Sequence, residues 1–343
     1  MPWWVNSRGR EAFAFCSAAD SIIVRPAMGA SFHNNQALLA AVSRSFFLTI
    51  RALPGSLQAP IATAYLLARA TDTLADTDGV SVEERLSLLR ELREVIRGSL
   101  PVQNLEPGLV RFRPLQKNAA ERVLLERLAE VWEDFLQLKA ADQAEVRWVL
   151  EQITQGQEED LLVFGAGGGV RYLADAATVE RYTWLVAGSV GEFWTRLCAR
   201  KWPRFATLPT DKMRELGADF GRGLQLVNIL RDRAEDLAQG RSYLPKEALV
   251  EEWMTRALFL LDRGWEYVLA LRDWRLRFAC ALPVLIGVRT LRLLKEEQAK
   301  THPLRVKVSR GEVRRILWQT LVNVWSRSRL EKIKQNAASS SDR

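Results

Sequence analysis

From Asn35 onward, apolar positions recur every three or four residues almost without interruption, the spacing that gathers them on one face of an α-helix. The period predicts helices over 35–53, 55–78, 82–97, 118–140, 142–164, 171–201, 211–239, 246–272, 275–299 and 309–335. The breaks between them carry ordinary turn chemistry: Leu53-Pro54-Gly55, the proline-containing stretch from Gly98 to Pro114, Gly165 to Gly169, and Trp202 to Thr210 with its two prolines. Alternating strand patterns are nearly absent, so the expected fold is all-α, a single helical bundle over 35–335. A 34-residue N-terminal extension and a frayed tail over 336–343 flank it. Trp3, Trp4, Phe13 and Phe15 in the extension suit a short helix lying on the domain or on a lipid interface, the domain being favoured.

The segment Tyr65 to Asp78 departs from this apolar regularity. Tyr65, Arg69, Asp72 and Asp76 step by four, three and four, which places them within roughly 60° of one another on a helix. Gly79 then reads as a C-terminal stop, and Ser81 with Glu84 as a capping box for the next helix. Two aspartates therefore occupy the last turns, where the helix dipole disfavours negative charge and where, at i,i+4, they repel each other. Such a pair calls for a cation.

A second polar stripe follows the same logic. Gln225, Asn228, Asp232 and Asp236 step by three, four and four and share a sector of about 80°. Gly217, Gly221 and Gly223 lie upstream, where each lowers helix propensity by up to ~1 kcal/mol relative to Ala, so a close neighbour or ligand is expected there. Two aspartate stripes on apolar helices, each interleaved with Arg or Asn, describe a clamp for Mg²⁺ and diphosphate. Hard oxygen donors without His or Cys select Mg²⁺, or Mn²⁺ in its place, and guanidinium groups pair with phosphate oxygens. The competing reading is structural: aspartates simply paired with neighbouring arginines. The glycine run Gly165 to Gly169 lacks the third glycine and the strand–helix–strand setting of a dinucleotide loop, so it reads as an interhelical connection.

Composition narrows the alternatives. At 343 residues and 48% hydrophobic, the chain can bury a large core. No apolar run reaches the ~18 residues of a membrane span, and Phe278 to Val288, interrupted by Pro283, reads as buried helix. Glu11 and Asp20 break the pattern a signal peptide would need. Three cysteines, Cys16, Cys198 and Cys280, are odd in number and far apart, which favours a reducing cytoplasm over a disulfide framework. Only His33 and His302 are present, neither beside an obvious nucleophile, so triad chemistry is not expected. From Thr301 to the end there are ten Lys or Arg against three Asp or Glu, a net of 10 − 3 = +7 out of +8 for the whole chain. No nucleic-acid signature accompanies this charge. Loose peripheral attachment to the inner face of an anionic membrane, or contact with phosphates, is expected instead.

Four segments together resemble the squalene and phytoene synthase family of head-to-head prenyl synthases: Ser43 to Phe46, Tyr65 to Asp76, Tyr182 to Gly191 and Gln225 to Pro245. The resemblance implies an isoprenoid-synthase-type helical bundle around a central cavity, and a farnesyl-diphosphate farnesyltransferase activity. By position it implies that Asp72, Asp76, Asn228, Asp232 and Asp236 hold Mg²⁺. It places Ser43, Arg44, Arg69 and Arg231 on phosphate, with Arg241 and Phe46 also at the substrate. Tyr65, Gln225, Tyr182 and Tyr243 would line the cavity, Tyr182 steering diphosphate, passing a proton or facing a cation. The plainer reading of Tyr182 is an aromatic packed beside the small-residue face of Ala187, Gly188 and Gly191.

The C-terminal segments Phe278 to Pro283 and Val306 to Gly311 resemble the region with which squalene synthases take up NADPH, which implies Lys307 and Arg310 as contacts to its phosphates. A basic loop before a helix with an apolar face of Val313, Ile316, Leu317, Thr320, Leu321 and Val324 explains the second segment equally simply. The expected reaction joins two farnesyl diphosphates through presqualene diphosphate and reduces the product to squalene. Phytoene, dehydrosqualene or hydroxysqualene formation without reduction is the alternative within the family, and a non-catalytic membrane-associated binding protein the alternative outside catalysis. Two features depart from the family pattern: Ala75 replaces a frequent third acidic residue of the first stripe, and the chain shows no hydrophobic C-terminal anchor.

Overall fold

The computed structural model describes residues 35–43, 45–165, 167–298 and 306–339. The aromatic extension over 1–34 and Arg44 lie outside these residues, and of Phe46 only the backbone is described. The fold is all-α, and the chain divides into two compact units that join in sequence at Gly169–Val170.

The first unit contains α1 (Gln36–Ser43), α2 (Ser45–Ala52), α3 (Gly55–Ala75), α4 (Val82–Arg97), α5 (Glu106–Phe112), α6 (Ala119–Glu126), α7 (Leu128–Leu136) and α8 (Ala140–Phe164). Its central element is α3, buried along almost its whole length from Leu57 to Ala75 and packed by α4, α6, α7 and α8. Helix α4 begins with the expected capping box, the Ser81 hydroxyl accepting from the Glu84 amide at 3.2 Å. Helix α3 ends at Ala75 with Asp76 as its C-cap, short of Gly79, the expected stop, which is left-handed at φ 78° in the connection to α4. Arg90, Arg93 and Arg97 on α4 are ion-paired to Glu151 and Glu158 on α8, which aligns those helices on their solvent side.

The second unit contains the two-residue strand β1 (Arg171–Tyr172), α9 (Ala176–Thr183), a π turn over Trp184–Gly188, α10 (Ser189–Lys201) and α11 (Thr210–Ala238). It continues through β2 (Arg241–Ser242), α12 (Val250–Ala270), α13 (Trp274–Gln298), α14 (Arg310–Asn323) and α15 (Arg327–Ser339). Its central element is α11, packed by α9, α10, α12 and α13. Both aspartate stripes thus lie on the central helix of a unit.

Several elements differ from the periodic reading. The stretch 98–114, expected to be a loop, contains a turn of 3₁₀ helix over Val102–Leu105 and then α5. Pro107 stands at the start of α5, where its missing N–H costs nothing, and Leu105, Leu109 and Phe112 anchor the segment in the core. The predicted helix over 118–140 breaks at Arg127, and that over 309–335 breaks after Asn323. Helix α15 runs on to Ser339, past the expected start of the tail. One feature with no periodic signature is the parallel pairing of β1 with β2, Arg171 opposite Arg241 and Tyr172 opposite Ser242. The segment Phe278 to Val288 lies within α13, and among the described residues no helix is long and apolar enough to cross a membrane.

The glycines of α11 are explained by a neighbouring helix. A Cβ on Gly217 would stand 2.7 Å from the Gly191 carbonyl oxygen, and one on Gly188 would stand 3.0 Å from Cγ of Arg222. Cβ atoms at Gly191 and Gly221 would come closer still to the backbone facing them. Two small-residue faces therefore bring α11 against the π turn and α10, backbone to backbone. Gly221→Ala gains up to ~1 kcal/mol of helix propensity but forces these backbones apart, an overpacking that costs about 1–3 kcal/mol or more. A lower urea midpoint than wild type is the expected outcome, and an unchanged or higher midpoint would show that the contact yields freely.

Candidate active site

The first stripe is held in an apolar setting. Asp72 is 1% exposed and Arg69 3%, so neither charge is solvated by bulk water. Arg69 supplies the expected cation: its Nη1 lies 3.5 Å from Asp72 Oδ2, while Nη2 donates to Oε1 of Glu121 on α6. The Tyr65 hydroxyl, one turn earlier, donates to the Val42 carbonyl at 3.2 Å and ties the end of α1 to this stripe. Burial raises the Tyr65 phenol pKa, so it stays protonated. Ser43 is also buried, and its hydroxyl donates back to the Leu39 carbonyl within α1.

Burial pushes the Asp72 carboxyl well above the usual carboxylate range, the Asp76 charge adds to that, and Arg69 opposes it only in part. Asp76 Oδ2 is buried with no hydrogen-bond partner among the described residues. An uncompensated buried oxygen costs about 1–3 kcal/mol, and more when charged. Ala75, in place of a third acid, packs with Leu86, Leu89 and Leu161. A carboxylate there would be driven into a purely apolar cluster.

Glu121 carries no long-range signal in the pattern because, three residues after Asn118, it looks like a local capping acid. Asn118 does cap α6 through the Ala120 amide and also donates to Glu121 at 3.1 Å. The partnership with Arg69 spans 52 residues and has no local signal.

The second stripe is more open. Gln225 is 2% exposed and its Oε1 has no partner among the described residues, whereas Asn228, Asp232 and Asp236 are half-buried. Arg231 grips Asp232 through two bonds, Nε to Oδ1 at 2.9 Å and Nη2 to Oδ2 at 2.6 Å. Arg241, half-buried on β2, donates to Gln239 at 3.4 Å. The strand pair has a functional consequence, since Arg171 N donates to the Gly240 carbonyl at 2.9 Å and Leu173 N to that of Ser242 at 3.1 Å. This returns the chain after α11 beside α9, where Tyr243 stacks on Tyr182 with centroids 5.1 Å apart and planes 24° off parallel. Both rings are buried. The small-residue face beside Tyr182 packs as its plainer reading required, and the Tyr243 ring is an additional partner.

Among the described residues, no three Asp, Glu, His or Cys side chains converge as a ready-made cation site. The donors nevertheless suit Mg²⁺, which takes one or two carboxylates and completes its octahedron with water and substrate oxygens. The pair Asp72 and Asp76, with an unpartnered buried oxygen, meets that description. Lys307 and Arg310 are exposed, Lys307 between the buried Val306 and Val308 and Arg310 at the start of α14. Charged groups so placed can meet an anionic cofactor. Behind them, Ser309 and Glu312 form a capping box, and Arg289 donates to Glu312 at 2.6 and 2.9 Å.

Comparison with known proteins agrees with this architecture. A model of the squalene/phytoene synthase family matches residues 39–252 and 246–312. A squalene synthase of Eremothecium gossypii is 27% identical over 281 residues, 75% of this chain and 60% of that protein. Squalene synthase ERG9 of Saccharomyces cerevisiae is 25% identical over 296 residues, 80% of this chain and 64% of that protein. The chain thus spans 60 to 64% of the length of these relatives. Among solved structures, TcSQS with the ligand E5700 superposes with a TM-score of 0.67 at 23% identity, covering 90% of this chain and 97% of that one. A dehydrosqualene synthase in complex with a ligand gives 0.56 at 21% identity, covering 86% and 97%. These two structures share the fold.

A carboxyl whose folded pKa lies above its unfolded value binds its proton more tightly in the native state. Stability therefore falls as pH rises from the unfolded value toward the folded one. Asp72→Asn removes that fall. In metal-free protein the variant should unfold no more readily than wild type at neutral pH, its relative stability growing as pH rises from about 4. If the Asp72–Arg69 pair were merely structural, the same substitution would cost about 3–5 kcal/mol at neutral pH. Urea titrations across pH in the presence of chelator separate the two.

Proposed function

Because the chain belongs to the squalene/phytoene synthase family, we propose that it carries out the squalene synthase reaction, joining two farnesyl diphosphates head to head and reducing presqualene diphosphate to squalene with NADPH. The observation that carries this reading is the placement of both aspartate stripes on the buried central helices of the two units, with an oxygen of Asp76 left unpartnered.

Asp72 and Asp76 on one stripe, and Asn228, Asp232 and Asp236 on the other, are the groups that would hold Mg²⁺ or Mn²⁺. A metal held there would supply positive charge to a departing diphosphate. Arg69, engaged by Asp72 and Glu121, keeps the first carboxylate in position. Arg231 can exchange one carboxylate for phosphate, a substitution its planar donor fork suits, and Arg241 adds charge at the end of the same helix. The stacked rings of Tyr182 and Tyr243 offer π faces to an allylic cation. The Tyr182 hydroxyl can guide the departing diphosphate or relay to it the proton lost as the cyclopropane closes, giving its own proton to a diphosphate oxygen as it takes up the other. The reaction requires that water be kept from the cation, which it would otherwise trap as an alcohol. Lys307 and Arg310 meet the phosphates of NADPH. A cytoplasmic location at the inner face of a membrane suits an amphiphilic substrate and an oily product, with the basic C-terminal region supplying the attraction.

Purified full-length chain given farnesyl diphosphate and Mg²⁺ should yield presqualene diphosphate without NADPH and squalene with it. Accumulation of dehydrosqualene, hydroxysqualene or phytoene despite NADPH would overturn the choice of product. Asp72→Asn and Asp232→Asn should each lower kcat by about a hundredfold or more; full turnover in both would remove the stripes from catalysis. Tyr182→Phe should lower kcat while leaving the unfolding midpoint close to wild type, because the ring stack is retained.

A further inference from the structure

The solvent face of α14 sets two large apolar side chains among arginines, where a water-facing helix would ordinarily be polar. Trp318 is 52% exposed and Val322 61%, and just beyond the helix Trp325 is 66% exposed. Arg314 and Arg315 are exposed on the same side. On a helix these four α14 positions fall within roughly 100° of one another. The opposite side carries Val313, Ile316 and Thr320, all buried in the second unit. The buried face therefore anchors α14 without Trp318. The patch continues onto α13: Trp274 meets Trp325 with centroids 4.9 Å apart, and the Arg275 guanidinium lies 5.2 Å from the Trp274 ring centroid.

We propose that this surface, Arg314, Arg315, Trp318, Val322 and Trp325 with Trp274 and Arg275 at its end, is the site at which the protein docks on an anionic lipid bilayer. Indole rings favour the boundary between headgroups and acyl chains, and arginines beside them meet lipid phosphates. Charge complementarity selects this partner over a neutral one, since the segment from Thr301 onward carries ten basic residues against three acidic. Trp318 and Val322 enter the interface, and Arg314, Arg315 and Arg275 lie level with the headgroups. Docking of this kind needs no membrane-spanning helix, and α14 is too short to be one. The inference rests on the membrane location proposed above and deepens it by naming the docking surface, and it is tested without catalysis.

The test is co-sedimentation of full-length protein with vesicles of phosphatidylcholine alone and of phosphatidylcholine mixed with phosphatidylglycerol. Wild type should sediment with the mixed vesicles and be largely released by raised salt. Arg314→Gln with Arg315→Gln should weaken binding by roughly thirtyfold. Trp318→Ser with Val322→Ser should abolish the binding that survives moderate salt. Both positions are exposed, so an unchanged circular dichroism melt is expected, and turnover of detergent-dispersed farnesyl diphosphate should match wild type. Wild-type protein that ignores both vesicle types overturns the proposal, as does equal binding by wild type and the Trp318/Val322 variant. A concentration-dependent dimer lost in that variant, with no vesicle binding, would assign the face to self-association and likewise overturn it. Failure of vesicle binding with normal squalene formation rejects the docking surface alone, and the reverse rejects the catalytic reading alone.

Discussion

Keeping carboxylate charge on a buried helix is the constraint around which the first unit is organised. Asp72 and Asp76 sit at the C-terminal end of α3, where desolvation, mutual repulsion and the helix dipole all act against ionisation. Among the described residues, Arg69 is the cation paired with Asp72, it compensates only in part, and it is divided between Asp72 and Glu121. A scaffold selected for stability alone would place hydrophobic residues there, since apolar replacement of a buried ion pair is often neutral or stabilising. The residual electrostatic cost is what a bound divalent cation would relieve, which would link cation binding to local stability.

The second unit solves a different problem. Its stripe is half-buried and already neutralised in part by Arg231 on Asp232, so the demand there is positional. Backbone contact between the glycines of α11 and those of the π turn and α10 sets α11 at short range from the Tyr182 segment. The two-residue strand pair then carries Tyr243 onto the Tyr182 ring. Small residues, a π turn and a minimal sheet thereby place two aromatic rings without a flexible loop between the groups that fix them.

Most of the helical segments, the spacing of both stripes and the Ser81 capping box were legible because each rests on local pattern: apolar residues at three and four, Asp72 with Asp76, Asp232 with Asp236, Ser81 with Glu84. The end of α3 at Ala75 was not. Helix α5 was not, because a seven-residue segment shows barely two turns of pattern and Pro107 looks like a breaker unless one knows it stands at a helix start. The β1–β2 pairing was hidden because two residues cannot alternate convincingly, and their bonds join positions seventy residues apart.

Glu121 marks where local pattern stops being informative. The sequence by itself determined that two carboxylate pairs would project from apolar helices, since helical geometry maps spacing directly onto direction. It determined too that the C-terminal region would be basic, since charge needs no folding to be counted. Only the tertiary structure decided how completely Asp72 is desolvated, that Arg69 is shared with Glu121, and that Tyr243 lies on Tyr182. It alone decided that Trp318 and Trp325 face outward beside arginines. Burial and long-range pairing depend on which elements pack together, and spacing along one chain does not record that.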